Sequence, residues 1–187
     1  MKEQFSDEQI LDLLRSEMTY ERGFKLLMSQ YQEPLYRHVR RIVYDHDDAH
    51  DVIQNTFIKI FRNIERFEGK SKLFTWLYRI ATNEAITFFN NKQRKGTDTI
   101  DDPHNTSLAN NLRADVFFDG EEIQIKLQQA IAILPEKQRI VFNLRYFEEM
   151  PYEEMSEILD TSVGALKASY HHAVKKVEAF FKAIDED

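Results

Sequence analysis

Apolar residues recur at helical spacing along most of this chain, and this repeat restricts its fold more than any other feature. In the first half, the repeat covers residues 24–43, 52–64 and 73–88. The middle stripe comprises Val52, Ile53, Phe57, Ile60, Phe61 and Ile64. Only five Gly and four Pro interrupt the 187 residues, which favours helices over a turn-rich β fold. The pattern therefore predicts an all-α protein.

The second half predicts three or four further helices, of which the last two form a familiar motif. They cover residues 123–134, 137–147, 152–159 and 165–183, with Pro135 and Pro151 at two of the boundaries. Residues 160–164 separate the last two helices. A short helix, a tight turn and a longer helix are the pattern of a helix-turn-helix.

Charge is unevenly distributed along the chain. The formal net charge is −7, which taken alone argues against nucleic acid as a partner. Residues 62–95 are nevertheless basic, whereas residues 98–122 are acidic and contain Gly, Pro and a run of Asn, Thr and Ser. We therefore expect two small helical domains, residues 1–95 and 121–187, joined by an acidic flexible linker of residues 96–120.

Several classes of protein are disfavoured. The chain contains no Cys, so thiol chemistry and Cys-ligated metals are excluded. It has no apolar run of roughly 18 residues, and its first ten residues do not resemble a secretory signal, so we expect a cytoplasmic protein without membrane insertion. Glycine-rich phosphate loops and the G-x-S-x-G motif are missing as well. We expect neither enzymatic activity nor a cofactor.

The last predicted helix carries a polar face that suits DNA. Its apolar stripe includes Leu166, Val174 and Val177, and the opposite face consists of Ala165, Lys167, Ala168, Ser169, His171, His172, Lys175 and Lys176. Lys and Ser can bind phosphates, and His can reach a base edge. An ordinary helical hairpin with a solvated face remains the alternative. Because its first turn contains one Lys, we expect weak DNA affinity from this domain alone.

A second polar stripe runs along the helix that follows the basic loop at residues 66–72. Arg79, Asn83, Ile86 and Asn90 recur at i, i+4, i+7 and i+11, opposite Trp76 and Ile80. Amide and aromatic groups beside cations suit unpaired or flipped bases. The alternative is a solvated face, and we expect Trp76 to lie mostly in the core.

His46 and His50 imitate a zinc motif, because two His at i and i+4 share one helix face. A third ligand is not evident, and Asp47 stands where a metalloprotease needs Glu. Acidic residues at a helix N-terminus explain the cluster equally well. We therefore expect no metal site.

Four segments together resemble one known family. Residues 48–57 read DAHDVIQNTF, residues 67–83 read FEGKSKLFTWLYRIATN, and residues 134–139 read LPEKQR. Residues 152–159 read YEEMSEIL and residues 163–167 read VGALK. In this order, over nearly the whole chain, they resemble extracytoplasmic-function (ECF) sigma factors, which direct bacterial RNA polymerase to promoters.

The resemblance implies a role for each domain. The first domain (σ2) would dock on the clamp helices of the polymerase β′ subunit through Asp51, Gln54, Asn55, Ile58 and Arg62. It would also melt the −10 element and hold a flipped base, with Arg79 and Asn83 as the leading residues, assisted by Lys70, Lys72 and Asn90. The second domain (σ4) would read the −35 element through Ala165, Lys167, Ala168, Ser169, His171, His172 and Lys175, and sit on the β flap.

The resemblance also implies partners. The acidic linker would run towards the RNA-exit path, and an anti-sigma factor would cover the polymerase-facing surfaces. The free protein would be a monomer.

One departure from the family pattern matters. The family's recognition helix is rich in Arg, whereas residues 167–175 read KASYHHAVK. We hypothesise that σ4 therefore depends more on polymerase, or on a recruiting partner, than on DNA. The rival interpretations are a dimeric stand-alone helix-turn-helix regulator and a zinc enzyme that uses His46 and His50.

Overall fold

A computed structural model describes residues 5–96 and 122–185, with the side chains of residues 95, 96 and 185 excepted. Every regular element in these ranges is a helix, so the predicted all-α class is confirmed. The chain divides into two compact units, residues 1–90 (unit 1) and 91–187 (unit 2). Apart from Gly96, the predicted linker lies outside the described residues. No helix in the described ranges is long and apolar enough to cross a membrane.

Unit 1 is built from three α-helices and most of a fourth. They are α1 (Asp7–Leu14), α2 (Tyr20–Val43), α3 (His46–Asn63) and α4 (Leu73–Gly96), with a 3-10 turn (Ile64–Arg66) after α3. Residues 91–96 of α4 fall in unit 2. The helix α1 was not predicted, although Ile10 and Leu14 recur at helical spacing and both are buried. It begins with a capping box, in which the Ser6 side chain accepts from the Gln9 amide and the Gln9 side chain accepts from the Ser6 amide.

The helix α1 packs closely on α2 through a glycine. A Cβ atom on Gly23 would lie 3.0 Å from both the Leu13 Cβ and the Leu14 backbone nitrogen. The Tyr31 hydroxyl, also on α2, donates a short hydrogen bond to the Asp7 carboxylate. Burial and this bond raise the pKa of Tyr31. Both contacts seat α1 against α2.

The core of unit 1 contains a buried polar pair as well as apolar side chains. Leu27, Leu35 and Leu77 are fully buried. His38 is also fully buried, and its Nε2 lies 2.8 Å from the Thr82 hydroxyl, which joins α2 to α4. Burial, assisted by the charge of Arg41, lowers the pKa of His38 to about 3. The imidazole is therefore neutral in the folded protein at ordinary pH.

The predicted stripe on α3 is confirmed except at one residue. Val52, Ile53, Ile60 and Ile64 are buried, whereas Phe61 is 52% exposed. The Phe61 ring packs instead against the rings of Tyr20 and Phe24 on α2. Phe61 lies at the edge of the packed face.

Unit 2 contains α5 (Glu122–Ala132), α6 (Glu136–Tyr146), α7 (Tyr152–Leu159) and α8 (Val163–Asp185). The predicted bounds of these helices agree within about two residues, the usual uncertainty of helix ends. One apolar cluster joins three of them and comprises Ala130, Ile131, Leu134, Phe142, Ala173 and Val177. This cluster fixes α8 against α5 and α6 and leaves its opposite face to solvent.

Candidate nucleic-acid interface

The loop between the 3-10 turn and α4 is anchored at its base by aromatic packing. The rings of Phe67 and Trp76 lie 5.3 Å apart, and Trp76 is half-buried rather than enclosed in the core as predicted. Gly69 has a φ of +71°, a left-handed conformation that favours glycine. Lys70 and Lys72 project from this loop and are exposed, and Lys70 forms an ion pair with the exposed Glu68. The anchor fixes the loop while its cations remain at the surface.

The polar stripe on α4 is exposed at Arg79 and Asn83, but it adjoins the half-buried Trp76 and Ile80 and does not lie opposite them as predicted, because residues three apart share one side of a helix. Asn90 is half-buried. Thr82, next to Asn83, points inward to His38. Glu84 forms an ion pair with Lys59 of α3. Contacts on both sides of Asn83 in the chain therefore fix this turn of α4, and they hold the backbone beneath the Asn83 amide.

The outer face of α3 is a mixed surface. Asp51, Gln54, Asn55, Ile58 and Arg62 are all exposed and share one side of the helix. Ile58 is 48% exposed, an apolar side chain within this polar face. Such a composition is typical of a protein-protein contact, because an apolar centre with a polar rim favours association.

An aromatic edge adjoins this face and was not predicted from the sequence. Phe61 lies 5.2 Å from Phe24 and 5.6 Å from Tyr20 between ring centroids, in edge-to-face geometry. The Tyr20 hydroxyl donates to the Phe61 carbonyl at 3.3 Å. Tyr20 and Phe24 are far from Phe61 in the chain, and the three rings meet only because α2 packs on α3.

The helix-turn-helix of unit 2 has a well-defined turn. Asp160 ends α7 with a φ of +48°. The Thr161 hydroxyl then donates to the Leu159 carbonyl at 3.0 Å. The Ser162 hydroxyl accepts from the Ala165 amide at 3.3 Å, which caps the start of α8. These local bonds fix the angle at which α8 leaves α7.

The outward face of α8 matches the predicted set closely. The residues Ala165, Lys167, Ala168, His171, His172 and Lys175 are exposed, and Ser169 is half-buried. Leu166, Ala173 and Val177 face the core. The structure therefore places the seven predicted DNA residues of α8 on or beside one surface. The sequence did not reveal that the Tyr152 ring contacts both Lys167 and Arg145, because these contacts arise only in the tertiary fold.

The two histidines at the start of α3 form an aromatic group. The Tyr36 hydroxyl lies 2.6 Å from the His46 Nδ1, and the rings of His46 and His50 are 4.5 Å apart. Within the described ranges, no three His, Asp or Glu side chains are grouped so that they could hold a metal ion. Aromatic packing accounts for the position of both rings.

Comparison with known families agrees with this division into two helical regions. The family model for Sigma-70 region 2 matches residues 27–95. The family model for Sigma-70, region 4 matches residues 124–177. The first match contains α3, the loop and α4, and the second contains the helix-turn-helix.

Curated relatives match nearly the full length. The chain is 31% identical to the ECF RNA polymerase sigma-E factor of Haemophilus influenzae, over 95% of this chain and 96% of that protein. It is 30% identical to the RNA polymerase sigma-H factor of Pseudomonas aeruginosa, over 95% of each chain.

Two solved structures share the fold. CnrH, in complex with the cytosolic domain of CnrY, has a TM-score of 0.69 at 20% identity, over 95% of this chain and 97% of that one. The sigma factor RpoE of Bartonella quintana, in complex with the anti-sigma factor NepR, has a TM-score of 0.67 at 21% identity, over 85% of this chain and 96% of that one. The chain belongs to the ECF group of the sigma-70 family of RNA polymerase sigma factors.

Proposed function

We propose that this sigma factor holds the unpaired −10 strand of the promoter on α4 while α3 docks on core RNA polymerase. The single observation that carries the proposal is the exposed pair of Arg79 and Asn83, beside the basic loop and on a helix fixed from behind. A guanidinium can hold a phosphate or stack on a base, and an amide can bond a base edge.

Promoter opening requires no covalent chemistry from the protein. Unstacking a base step costs a few kcal/mol, and binding of the flipped or unpaired base offsets this cost. A rigid helix serves this purpose, because less side-chain and backbone freedom is lost when the strand binds. The proposal involves no catalytic residue and no cofactor. RNA polymerase works on chromosomal DNA, so the proposed compartment is the cytoplasm.

The helix α8 is proposed to contact the −35 element, with modest affinity of its own. Its outward face carries Lys167, Lys175 and Lys176 with two His and no Arg, which allows few phosphate contacts. Two regions attached to one polymerase raise each other's effective concentration, so weak contacts suffice in the holoenzyme. A recruiting partner that strengthens the −35 contact is the second candidate, favoured by the same scarcity of cations.

The stand-alone regulator is not favoured. Such a regulator has no need of a region 2, yet the region 2 model matches residues 27–95, the part that contains the loop and α4. A full-length match to ECF sigma factors accounts for both regions at once.

An anti-sigma factor is proposed as the regulator. The similar structures of CnrH and of RpoE from Bartonella quintana are both complexes, the latter with an anti-sigma factor. For this chain, an inhibitor that covers Ile58 and the surrounding face of α3 would block docking on the β′ clamp helices.

Unit 2 is proposed to bind the β flap of the polymerase.

The test of the −10 proposal is Asn83→Ala in the holoenzyme. We expect binding to a fork-junction promoter DNA, with the −10 non-template strand unpaired, to weaken by roughly 5- to 150-fold, the loss of about 1–3 kcal/mol of base contact. Fluorescence anisotropy of the labelled DNA gives the affinity.

The matched control is Asn91→Ala, since Asn91 is an exposed amide about two turns further along α4. We expect this variant to bind like the wild type. Equal weakening by both substitutions, or by neither, would contradict the proposal that Asn83 holds the strand.

A further inference from the structure

We infer that Tyr152 is a positioning residue that aims Lys167 at the DNA backbone. The inference rests on the proposed −35 contact of α8 and adds to it a residue outside that helix. Tyr152 is the first residue of α7, and Lys167 lies in the first turns of α8. Their contact therefore spans the turn of the helix-turn-helix.

The Tyr152 ring contacts two cations from two different helices. The Arg145 guanidinium carbon lies 5.1 Å from the ring centroid, and the Lys167 Nζ lies 5.6 Å from it. Cations within about 6 Å of a ring centroid are attracted by the negative face of the ring. Arg145 is on α6 and Lys167 is on α8, so the ring joins three helices through its two cation contacts.

Arg145 is itself tied to the backbone ahead of α7. Its Nη1 donates to the Met150 carbonyl at 3.0 Å, and that carbonyl lies two residues before Tyr152. A longer contact of the same nitrogen reaches the Glu149 carbonyl at 3.4 Å. Arg145 therefore braces Tyr152, because its position is set by backbone atoms.

The ring is also supported from the core. Tyr170 meets Tyr152 edge-to-face with centroids 6.5 Å apart, and Tyr170 stacks on Phe142 at 5.7 Å. Phe142 belongs to the buried apolar cluster of unit 2. Tyr152 is half-buried as a result, so its ring offers Lys167 a fixed surface.

A fixed ring surface that restricts the side chain helps a lysine to bind phosphate more than it would help most other residues. The ammonium is carried on a flexible four-carbon stem. The stem loses conformational entropy when the lysine binds DNA, and this loss reduces the binding affinity. Lys167 is exposed near the N-terminal end of α8, where the helix dipole also favours phosphate. Lys167 is one of three lysines on the outward face of α8, with Lys175 and Lys176, so its placement has a sizeable share in the −35 contact.

The test uses holoenzyme and a duplex promoter with and without its −35 segment. Tyr152→Leu removes the ring face, and we expect it to weaken −35-dependent binding about three- to tenfold, a cation–π and ordering effect. Tyr152→Phe keeps the ring and should bind within about twofold of the wild type. In a Lys167→Ala background, Tyr152→Leu should have no further effect, because the ring then has no lysine to aim.

A second measurement does not depend on DNA. In the full chain, the ε protons of Lys167 should show an upfield ring-current shift in the NMR spectrum relative to those of Lys175. This shift should persist in Tyr152→Phe. Its absence in the wild type would overturn the inference even if Tyr152→Leu failed to fold.

The outcomes separate the inference from the proposal beneath it. A wild-type holoenzyme that binds equally with and without the −35 segment would overturn both. A wild type that requires the segment, combined with a Tyr152→Leu effect of the same size in the Lys167→Ala background, would overturn the role of Tyr152 alone. A purely structural tyrosine would give that second result.

Discussion

At the scale of single residues, the exposed face of α4 depends on buried side chains behind it. Buried His38 supports the turn of α4 that displays Asn83, through the bond of its Nε2 to the Thr82 hydroxyl. A buried polar group with a partner is retained at little cost, but a buried charge is expensive. The protonation of His38 should therefore couple to the stability of unit 1.

Replacing His38 tests this coupling. The pKa is about 3 in the folded state, against an ordinary value near 6.5, so the unfolded chain binds more protons between these values. The free energy of unfolding should fall as the pH falls through this window, by up to about 1.4 kcal/mol for each pH unit from His38. In His38→Gln, which can still bond Thr82, this part of the slope should vanish.

Trp76 is the single tryptophan of the chain and lies in unit 1, so its fluorescence reports the unfolding of this unit. Urea titrations from about pH 7 to about pH 4.5, within the window set by the two pKa values of His38, give the slopes for both proteins. The matched control is His50→Gln, at an exposed histidine. Identical slopes in His38→Gln and the wild type would refute the coupling.

Ile58 provides a second test at this scale, for docking on polymerase. We expect Ile58→Glu to weaken binding to core RNA polymerase by at least about tenfold, since it places a charge at the apolar centre of the α3 face. Met18→Glu is the control, because Met18 is 96% exposed and lies outside α3. Competition with labelled wild-type protein for core measures both affinities, and equal affinities would exclude this face from docking.

The sequence could predict the exposure of some residues but not the contacts between helices. The exposed faces of α3, α4 and α8 follow from helical periodicity, and the structure places their predicted residues at or near the surface. The bond of His38 to Thr82, the edge position of Phe61 and the cations on Tyr152 each depend on a distant helix. Periodicity describes one helix at a time, so it could not predict these contacts. The assignment of the exposed residues to DNA and polymerase remains a prediction.

At the scale of helices, Gly23 sets the approach of α1 to α2. A Cβ at this position would meet backbone and Cβ atoms at 3.0 Å, which cannot move as a flexible side chain can. We expect Gly23→Ala to lower the stability of unit 1 by about 1–3 kcal/mol, the usual cost of overpacking. Chemical unfolding followed by Trp76 fluorescence measures the change.

Gly164→Ala is the matched control for this prediction. A Cβ on Gly164 would meet nothing within 4 Å, and the residue lies in α8 of unit 2. Alanine is the better helix former, so unit 2 should keep or slightly gain stability, and the Trp76 transition should not change. A Gly23→Ala protein as stable as the wild type would show that α1 packs less closely than described.

The helices themselves differed in how predictable they were. The helices α2, α3, α4 and α8 are long enough for several apolar repeats, and each was anticipated. The apolar repeat nevertheless missed the first four residues of α2, the first six of α3 and the last eight of α4, where polar residues predominate. The helix α1 has only eight residues and was missed, although the Ser6–Gln9 capping box and the spacing of Ile10 and Leu14 are both visible in the sequence.

At the scale of the whole molecule, acidity and DNA recognition are compatible. The net charge is −7, yet the candidate DNA residues are concentrated on α4, its preceding loop and α8. Weak contacts from two regions add up once polymerase holds both of them. The two-domain all-α class was predictable, because the repeats and the charge break were both visible in the sequence. Apart from Gly96, the predicted linker lies outside the described residues.

Run-off transcription tests the central claim most directly. Core RNA polymerase is incubated with and without this protein on a library of promoter fragments, with free core as the baseline. The account predicts transcripts that depend on the protein and share upstream sequence elements, and it predicts their loss with Asn83→Ala and not with Asn91→Ala. If the protein gave neither a transcript nor a stable complex with core, its assignment as a working sigma factor would be contradicted.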